Sequence, residues 1–331
     1  MNQATNTAER LCEALRASRG FAHKRDISSV MKRLSPSLPS HIAVGDDCAA
    51  IPDGDGHLLF AIEGFVEDFV EQMPWFAGYC GVMVNVSDIY AMGGRPIAVV
   101  DALWSHGADA GHPVLDGLAE ASRRYGVPIV GGHSNHKSER GQLAVAIVGR
   151  AKKLLTSFDA QPGDVLVMVV DLRGNWQQPY PYWNASTSAP AERLRADLEL
   201  LPALAEVSLC KAAKDISMAG AIGTALMLLE CSKVGAHIDV DAIPRPDGIS
   251  VDDPADLLRW LVAFPSYGFV LSVRPENVDA VLARFKARGL ACAAIGQVLP
   301  EPQVSLRHHG SDALLWNLAE QPFITAGEAH A

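Results

Sequence analysis

The segment Asn85–Pro96, NVSDIYAMGGRP, constrains this chain more than any other. Asn85 and Asp88 are three residues apart, which on a helix places both side chains on one face. Val82, Val84, Val86, Ile89 and Met92 surround them, so the helix is expected to be largely buried. An acid at the edge of an apolar helix is costly unless something positive meets it. Gly93–Gly94 is a helix stop, because glycine accepts the left-handed cap conformation freely, and Pro96 prevents continuation. Alone, the pattern fits a satisfied acid on a polar helix face as well as one ligand of a metal or phosphate site. Further acids elsewhere in the chain shift the balance towards the second.

The chain has 331 residues, enough for two domains and a sizeable core. Its 49% apolar and 20% charged residues are ordinary for a soluble globular protein. A net charge of −10 argues against a general nucleic-acid partner. Six cysteines lie at 12, 48, 80, 210, 231 and 292 without a CxxC pair, which points to neither a cysteine zinc site nor a disulfide framework. That usage fits a reducing compartment. No apolar run reaches the length of a membrane span, and MNQATNTAER lacks a signal-peptide pattern. The expectation is a cytoplasmic protein without a membrane partner.

Periodicity predicts two short helices over residues 8–34, joined near Gly20, and a proline-rich linker at 35–40. HIAVGDDCAAI reads as a short strand broken by an acidic turn, and HLLFAIEGF (57–65) as the next strand. After the helix over 75–92 come a strand at 96–104, a helix at 112–125, a strand at 127–135 running into a glycine turn, and a strand at 142–151. The second half opens with a turn and buried strand at 161–170. An irregular aromatic stretch follows, with Trp176, Tyr180, Tyr182 and Trp183. It is a candidate substrate lid or a packed surface loop, and Arg173 beside it is a candidate anion ligand. Helix is expected at 191–212 and 218–232, with Asp215 near the start of the latter, then strand at 236–244, strand at 264–275, helix at 276–289 and strand at 290–299. The tail beyond 300 is weakly patterned. Alternating strands and helices in both halves imply mixed α/β domains, with the break between 151 and 160.

Four acidic spots sit beside glycine or at element ends: Asp46–Asp47 in GDDCAA, Glu63 in AIEGF, Asp88, and Asp215 in KDIS. Adjacent carboxylates repel, so Asp46–Asp47 fit either an exposed turn or a cation site. Glu63 fits a solvent-facing strand end or a ligand, and Asp215 a helix N-cap or a ligand. Magnesium takes carboxylate and phosphate oxygens together with water, so acids from separate segments suit a nucleotide site. GGHSN (131–135) offers glycine amides that can approach an anion. His133 and His136 form only a weak HxxH pair, better read as hydrogen-bonded histidines. Neither a Walker A loop nor GxGxxG is present.

Over roughly residues 40 to 300 the chain resembles the superfamily of aminoimidazole ribonucleotide (AIR) synthase, thiamine-monophosphate kinase, selenophosphate synthetase and a hydrogenase-maturation dehydratase. GDDCAA resembles the GDDAA signature, NVSDIYAMGGRP the kinase and selenophosphate versions, GGHSN the selenophosphate enzyme's GGHT, and KDIS the kinase's DISDG. The mixture is similar to the branch called AIR synthase-related proteins. The resemblance implies an α/β (α+β) PurM-like fold. Residues 1–151 would be an N-terminal ATP-binding and dimerising domain, and 152–331 a C-terminal domain. It implies a homodimer that uses ATP and Mg2+ on a small, possibly phosphorylated substrate, transferring or cleaving the γ-phosphate. Alternatives are a catalytically altered nucleotide-binding homodimer acting as regulator or subunit, and an activity like that of the thiamine-phosphate kinase or selenophosphate synthetase. By motif position Asp47, Glu63, Asp88 and Asp215 would bind metal, and Asp46, Asn85, Gly131, Gly132 and His133 would serve the nucleotide. The chain departs from the kinase pattern at Met218, which replaces the second aspartate of DISDG, at His133, and at FPSYGF (264–269).

Overall fold

The structure is a computed structural model that describes residues 7–34 and 42–325. The linker expected at 35–40 lies outside the described residues. Mixed α/β architecture is present in both halves, as expected. The chain divides into two compact units.

The N-terminal unit comprises residues 47–154 and 188–206. A five-stranded sheet runs in the order β1 (Ala49–Asp53), β2 (Gly56–Phe65), β5 (Lys137–Ala151), β3 (Arg95–His106), β4 (Ile129–Asn135). All pairings are antiparallel except β3 with β4. The short helix α3 (Glu67–Gln72) precedes α4 (Pro74–Ala91), which packs with α5 (Ala108–Tyr125). Leu59, Ala61, Val99, Leu103, Leu143, Val145 and Ile147 form the buried side of the sheet. Side chains alternate across a strand, so the opposite side shows Phe60, Ile62 and Val100. Register aligns Ile62, Ala146 and Val100 in one row. The open side is therefore apolar, with Ile62 65% exposed and Phe60 51% exposed.

The remainder of that unit is α6 (Ala191–Leu198) and α7 (Leu200–Glu206), which replace the single helix expected over 191–212. Arg95 of β3 holds them through ion pairs to Glu199 and Glu206. Residues 207–211 are not helical.

Of the described residues, the C-terminal unit gathers 7–34, 42–46, 155–187 and 207–325. The seven-stranded sheet runs β15 (Ser311–Asn317), β14 (Gln303–His308), β10 (Gly235–Asp239), β13 (Ala291–Leu299), β6 (Val165–Val170), β12 (Gly268–Val273), β9 (Ala212–Asp215). Helices α8 (Gly220–Cys231), α9 (Pro254–Leu261) and α10 (Val278–Lys286) belong to it, as do α1 (Thr7–Arg16) and α2 (Arg19–Leu34). Relative to a single break near 151, the described residues 7–34 and 42–46 cluster with the C-terminal half and 188–206 with the N-terminal half. The physical reason lies in the contacts of α1. Arg16 donates to the carbonyls of Leu314 and Leu315 at 3.1 Å, and the buried Leu11 and Leu15 join the C-terminal core. The weakly patterned tail is an ordered hairpin, β14–β15, because α1 covers it. Phe21 of α2 stacks edge-on with Trp316 and Phe323.

Glu230 of α8 accepts hydrogen bonds from the amides of Phe323 (2.7 Å) and Ile324 (2.8 Å) and from Thr325 Oγ1 (2.9 Å). Cys12, Cys48, Cys80 and Cys210 are buried thiols that form no disulfide among the described residues.

Candidate functional site

Pro74 opens α4 at its first turn, where a missing amide costs nothing. The helix is apolar on nearly every side, and it meets α5 closely at glycines on both helices. A Cβ on Gly78 would lie 2.0 Å from the Val114 carbonyl of α5, and one on Gly117 would lie 1.9 Å from the Trp75 carbonyl. Asn85 is fully buried. Its amide donates to Gly81 O at 2.8 Å and to Val145 O of β5 at 3.0 Å, while its Oδ1 has no hydrogen-bond partner among the described residues. Asp88 follows one turn later and is 5% exposed. Gly93, at φ +72°, then closes the helix with its amide on the Tyr90 carbonyl.

Asp47 lies in the bend over residues 45–48, the acidic turn expected to break the strand; what differs is that residues 42–44 are not strand, and β1 begins only at Ala49. One of its carboxylate oxygens lies within 4.8 Å of one from Asp88. Its neighbour Asp46 has a different employment, accepting from the Ser157 amide at 2.8 Å and from Ser157 Oγ at 2.6 Å. The two adjacent acids thus divide into one facing the helix acid and one anchoring a loop of the C-terminal unit.

Sheet register places two further acids on the face towards α4. Glu63 of β2 pairs with Val145, Val145 with Asp101 of β3, and Asp101 with Gly132 of β4. Paired residues share a face, so Glu63 and Asp101 point to the side of the sheet that Val145 buries, the side of α4. Asp101 is not among the acids that the sequence pattern marks. Its signal was an acid inside the apolar run PIAVVDALW. Burial pushes its carboxyl above the usual range. A Cβ at Gly132 would lie 2.5 Å from Asp101 Oδ1, so glycine is what allows the carboxylate beside that backbone.

Gly131, Gly132 and His133 are exposed residues inside strand β4, not in a glycine turn after it. Pairing with Val100, Asp101 and Ala102 of β3 holds them extended. His136 bonds Ser105 Oγ through Nδ1 at 2.8 Å, as its reading as a hydrogen-bonded histidine implied.

In the C-terminal unit, Asp215 ends strand β9 opposite Phe269 and is 4% exposed. It is neither near a helix start nor an N-cap, since α8 begins at Gly220. Met218 is 42% exposed. The aromatic stretch is not a loose loop. β7 (Asn175–Trp176) and β8 (Tyr182–Asn184) pair antiparallel, and β11 (Phe264–Pro265) adds to them. Trp176, Trp183 and Trp260 meet edge-on, with the Arg259 guanidinium 4.0 Å over the Trp176 ring. Arg173 is engaged with Asp171 at 2.7 Å.

These acids fall within two family matches. The model for the N-terminal domain of AIR synthase related protein covers residues 45–151, and that for the C-terminal domain covers 161–309. A Synechocystis protein described as "Uncharacterized protein sll0787" is 50% identical over 312 residues, covering 93% of this chain and 95% of its own length. The chain belongs to the AIR synthase related protein family. Among solved structures, this family member is similar to Thermotoga maritima PurL complexed with ADP, with a TM-score of 0.73 and 20% identity over 95% of this chain. It spans about half, 53%, of that PurL chain. It is also similar to AaThiL complexed with AMPPCP and TMP, with a TM-score of 0.65 and 19% identity over 87% of this chain and 96% of that one. These likenesses establish the PurM-like fold. No helix among the described residues is long and apolar enough to cross a membrane.

Proposed function

We propose that this AIR synthase related protein is a magnesium-dependent, ATP-utilising enzyme that transfers or cleaves the γ-phosphate with a small, phosphorylated metabolite. The observation that carries the reading is the approach of Asp47 to Asp88 within 4.8 Å. Two carboxylates that close repel, and a shared cation relieves the repulsion. The donor set fits magnesium, a hard cation that takes carboxylate oxygens. PurL with ADP and ThiL with AMPPCP, two proteins of the same fold, support nucleotide as the ligand.

In this reading Asp47 and Asp88 bind the metal, and the same role is proposed for Glu63 and Asp215 by motif position alone. The metal would neutralise charge developing on the phosphates. Gly131, Gly132 and His133 face the nucleotide from the exposed edge strand. Asn85 and Asp46 are positioning residues. Asn85 locks α4 to β5, and Asp46 fixes the loop at Ser157. The open apolar sheet face around Phe60 and Ile62 supports a homodimer formed through the N-terminal unit, and the whole would work in the cytoplasm.

A second reading rests on Met218. Its thioether is no ligand for magnesium, and it stands where the related kinase motif has an acid. On that reading the protein binds nucleotide without turning it over and regulates another enzyme. Calorimetric titration of ATP with and without magnesium, on wild type and Asp88→Asn, tests the site. Magnesium-dependent binding lost in the variant supports it, and absence of binding to wild type refutes it. ADP release in a metabolite screen then separates enzyme from regulator.

A further inference from the structure

A second cluster of ligating side chains lies far along the chain from these acids. One donor atom each from Asp241, His308 and His309 falls within 4.8 Å of the other two. We propose that these three, with Asp252 as a fourth donor, form a site for a divalent transition-metal ion of the zinc class. All four residues belong to the C-terminal unit.

The hairpin builds the site. β14 ends at His308 and β15 begins at Ser311, which leaves His309–Gly310 as a two-residue turn. Both turn residues have positive φ, +49° for His309 and +71° for Gly310. Such turns ordinarily take Asn-Gly, because few side chains tolerate the first position. Here an imidazole occupies it. Adjacent residues of a strand point to opposite faces. The left-handed backbone at His309 breaks that alternation and brings the two rings together, with centroids 4.0 Å apart.

The carboxylates come from other segments. Asp241 sits in a 3-10 turn, Val240–Ala242, directly after β10, the parallel neighbour of β14. Its Oδ1 is 2.7 Å from His308 Nδ1, and its Oδ2 accepts from the His309 amide at 2.9 Å. Asp252 Oδ1 is 3.2 Å from His309 Nε2. Zinc bonded to nitrogen and oxygen at about 2.0–2.2 Å in a tetrahedron sets its ligands roughly 3.3–3.5 Å apart. The His309–Asp252 separation already matches, and the His308–Asp241 pair must open by well under 1 Å. Imidazole with carboxylate selects zinc, cobalt or nickel over magnesium, which prefers an all-oxygen shell. An ion here would tie the hairpin tip to the 3-10 turn and to the 252 loop. The site is chemically distinct from the magnesium reading of Asp47 and Asp88 and independent of it.

The test uses the untagged full chain, stripped with a chelator and then held in excess magnesium. Zinc is titrated against a chromophoric competitor, and thermal unfolding is followed in parallel. His309→Asn is the informative variant, since asparagine suits the turn and keeps the backbone amide on Asp241. Wild type should bind one zinc that His309→Asn binds at least about tenfold more weakly, with the zinc-induced rise in Tm lost as well. Asp241→Asn should behave likewise. Equal zinc affinity in wild type and His309→Asn, or no zinc bound by wild type, overturns the proposal.

Discussion

Asn85 of α4 donates its side-chain amide to the Val145 carbonyl of β5 at 3.0 Å, joining the most buried helix of the N-terminal unit to the middle strand of its sheet. The same amide reaches back to Gly81 O, so both its hydrogens are committed. Asn85→Ala leaves the Val145 carbonyl without its side-chain donor in a dry core, at a cost of about 1–3 kcal/mol. Urea unfolding should show a lower midpoint with an unchanged slope. Because the variant loosens the helix that carries Asp88, magnesium-dependent nucleotide binding should weaken less than in Asp88→Asn.

Asp47→Asn and Asp88→Asn should each weaken magnesium-dependent ATP binding by at least about tenfold, since each removes one anionic oxygen from a hard cation. Manganese titration followed by electron paramagnetic resonance reads the metal directly. Asp46→Asn should behave differently. Its oxygens are taken by Ser157, so thermal stability should fall while metal affinity changes little.

Glu120 gives a dependence on acid. Hydrogen bonds from Arg123 and Arg124 hold its carboxyl down to about 2. A depressed carboxylate adds stability above its unfolded value and loses it as pH falls through the folded value. The contribution is therefore complete near neutrality and declines between about pH 4.5 and 2. These are surface ion pairs, so Glu120→Gln should cost only about 0.5–1 kcal/mol at pH 7 and clearly less at pH 2, measured by denaturant titration at both.

Gly117→Ala should be far more severe. The added methyl would lie 1.9 Å from the Trp75 carbonyl, which is helix backbone and cannot swing aside. Helices α4 and α5 must separate, at a cost of about 2–3 kcal/mol or more. A drop in Tm of several degrees is the readout.

The helix around Asn85 and Asp88 is legible because its signals are local: apolar residues surrounding the two polar ones, and a double glycine followed by a proline at its exit. Strand β4 was only half legible. GGHSN has turn composition, and its extended form depends on register with Val100–Ala102, which no local pattern encodes. Asp215 misled for a related reason. KDIS has the look of a helix N-terminus, while pairing of β9 with β12 makes Asp215 a strand end. Asp101 is not legible because what marks it is Gly132 across the ladder. The pairing of Asp241 with His308 spans 67 residues. The seating of α1 on β15 spans nearly the whole chain. Composition carries no trace of either.

Burial raises the thiol of Cys12 to about 11 and that of Cys210 to about 12, and lifts Cys80 higher still. The thiolate is the reactive form, so at neutral pH these sulfurs are quiet towards alkylating reagents while the chain is folded. A maleimide dye would therefore find them only on molecules that have opened. Cys12 lies in α1 and Cys80 in α4, so mass-resolved labelling of these two positions would clock the opening of each unit separately, with the native chain as its own reporter.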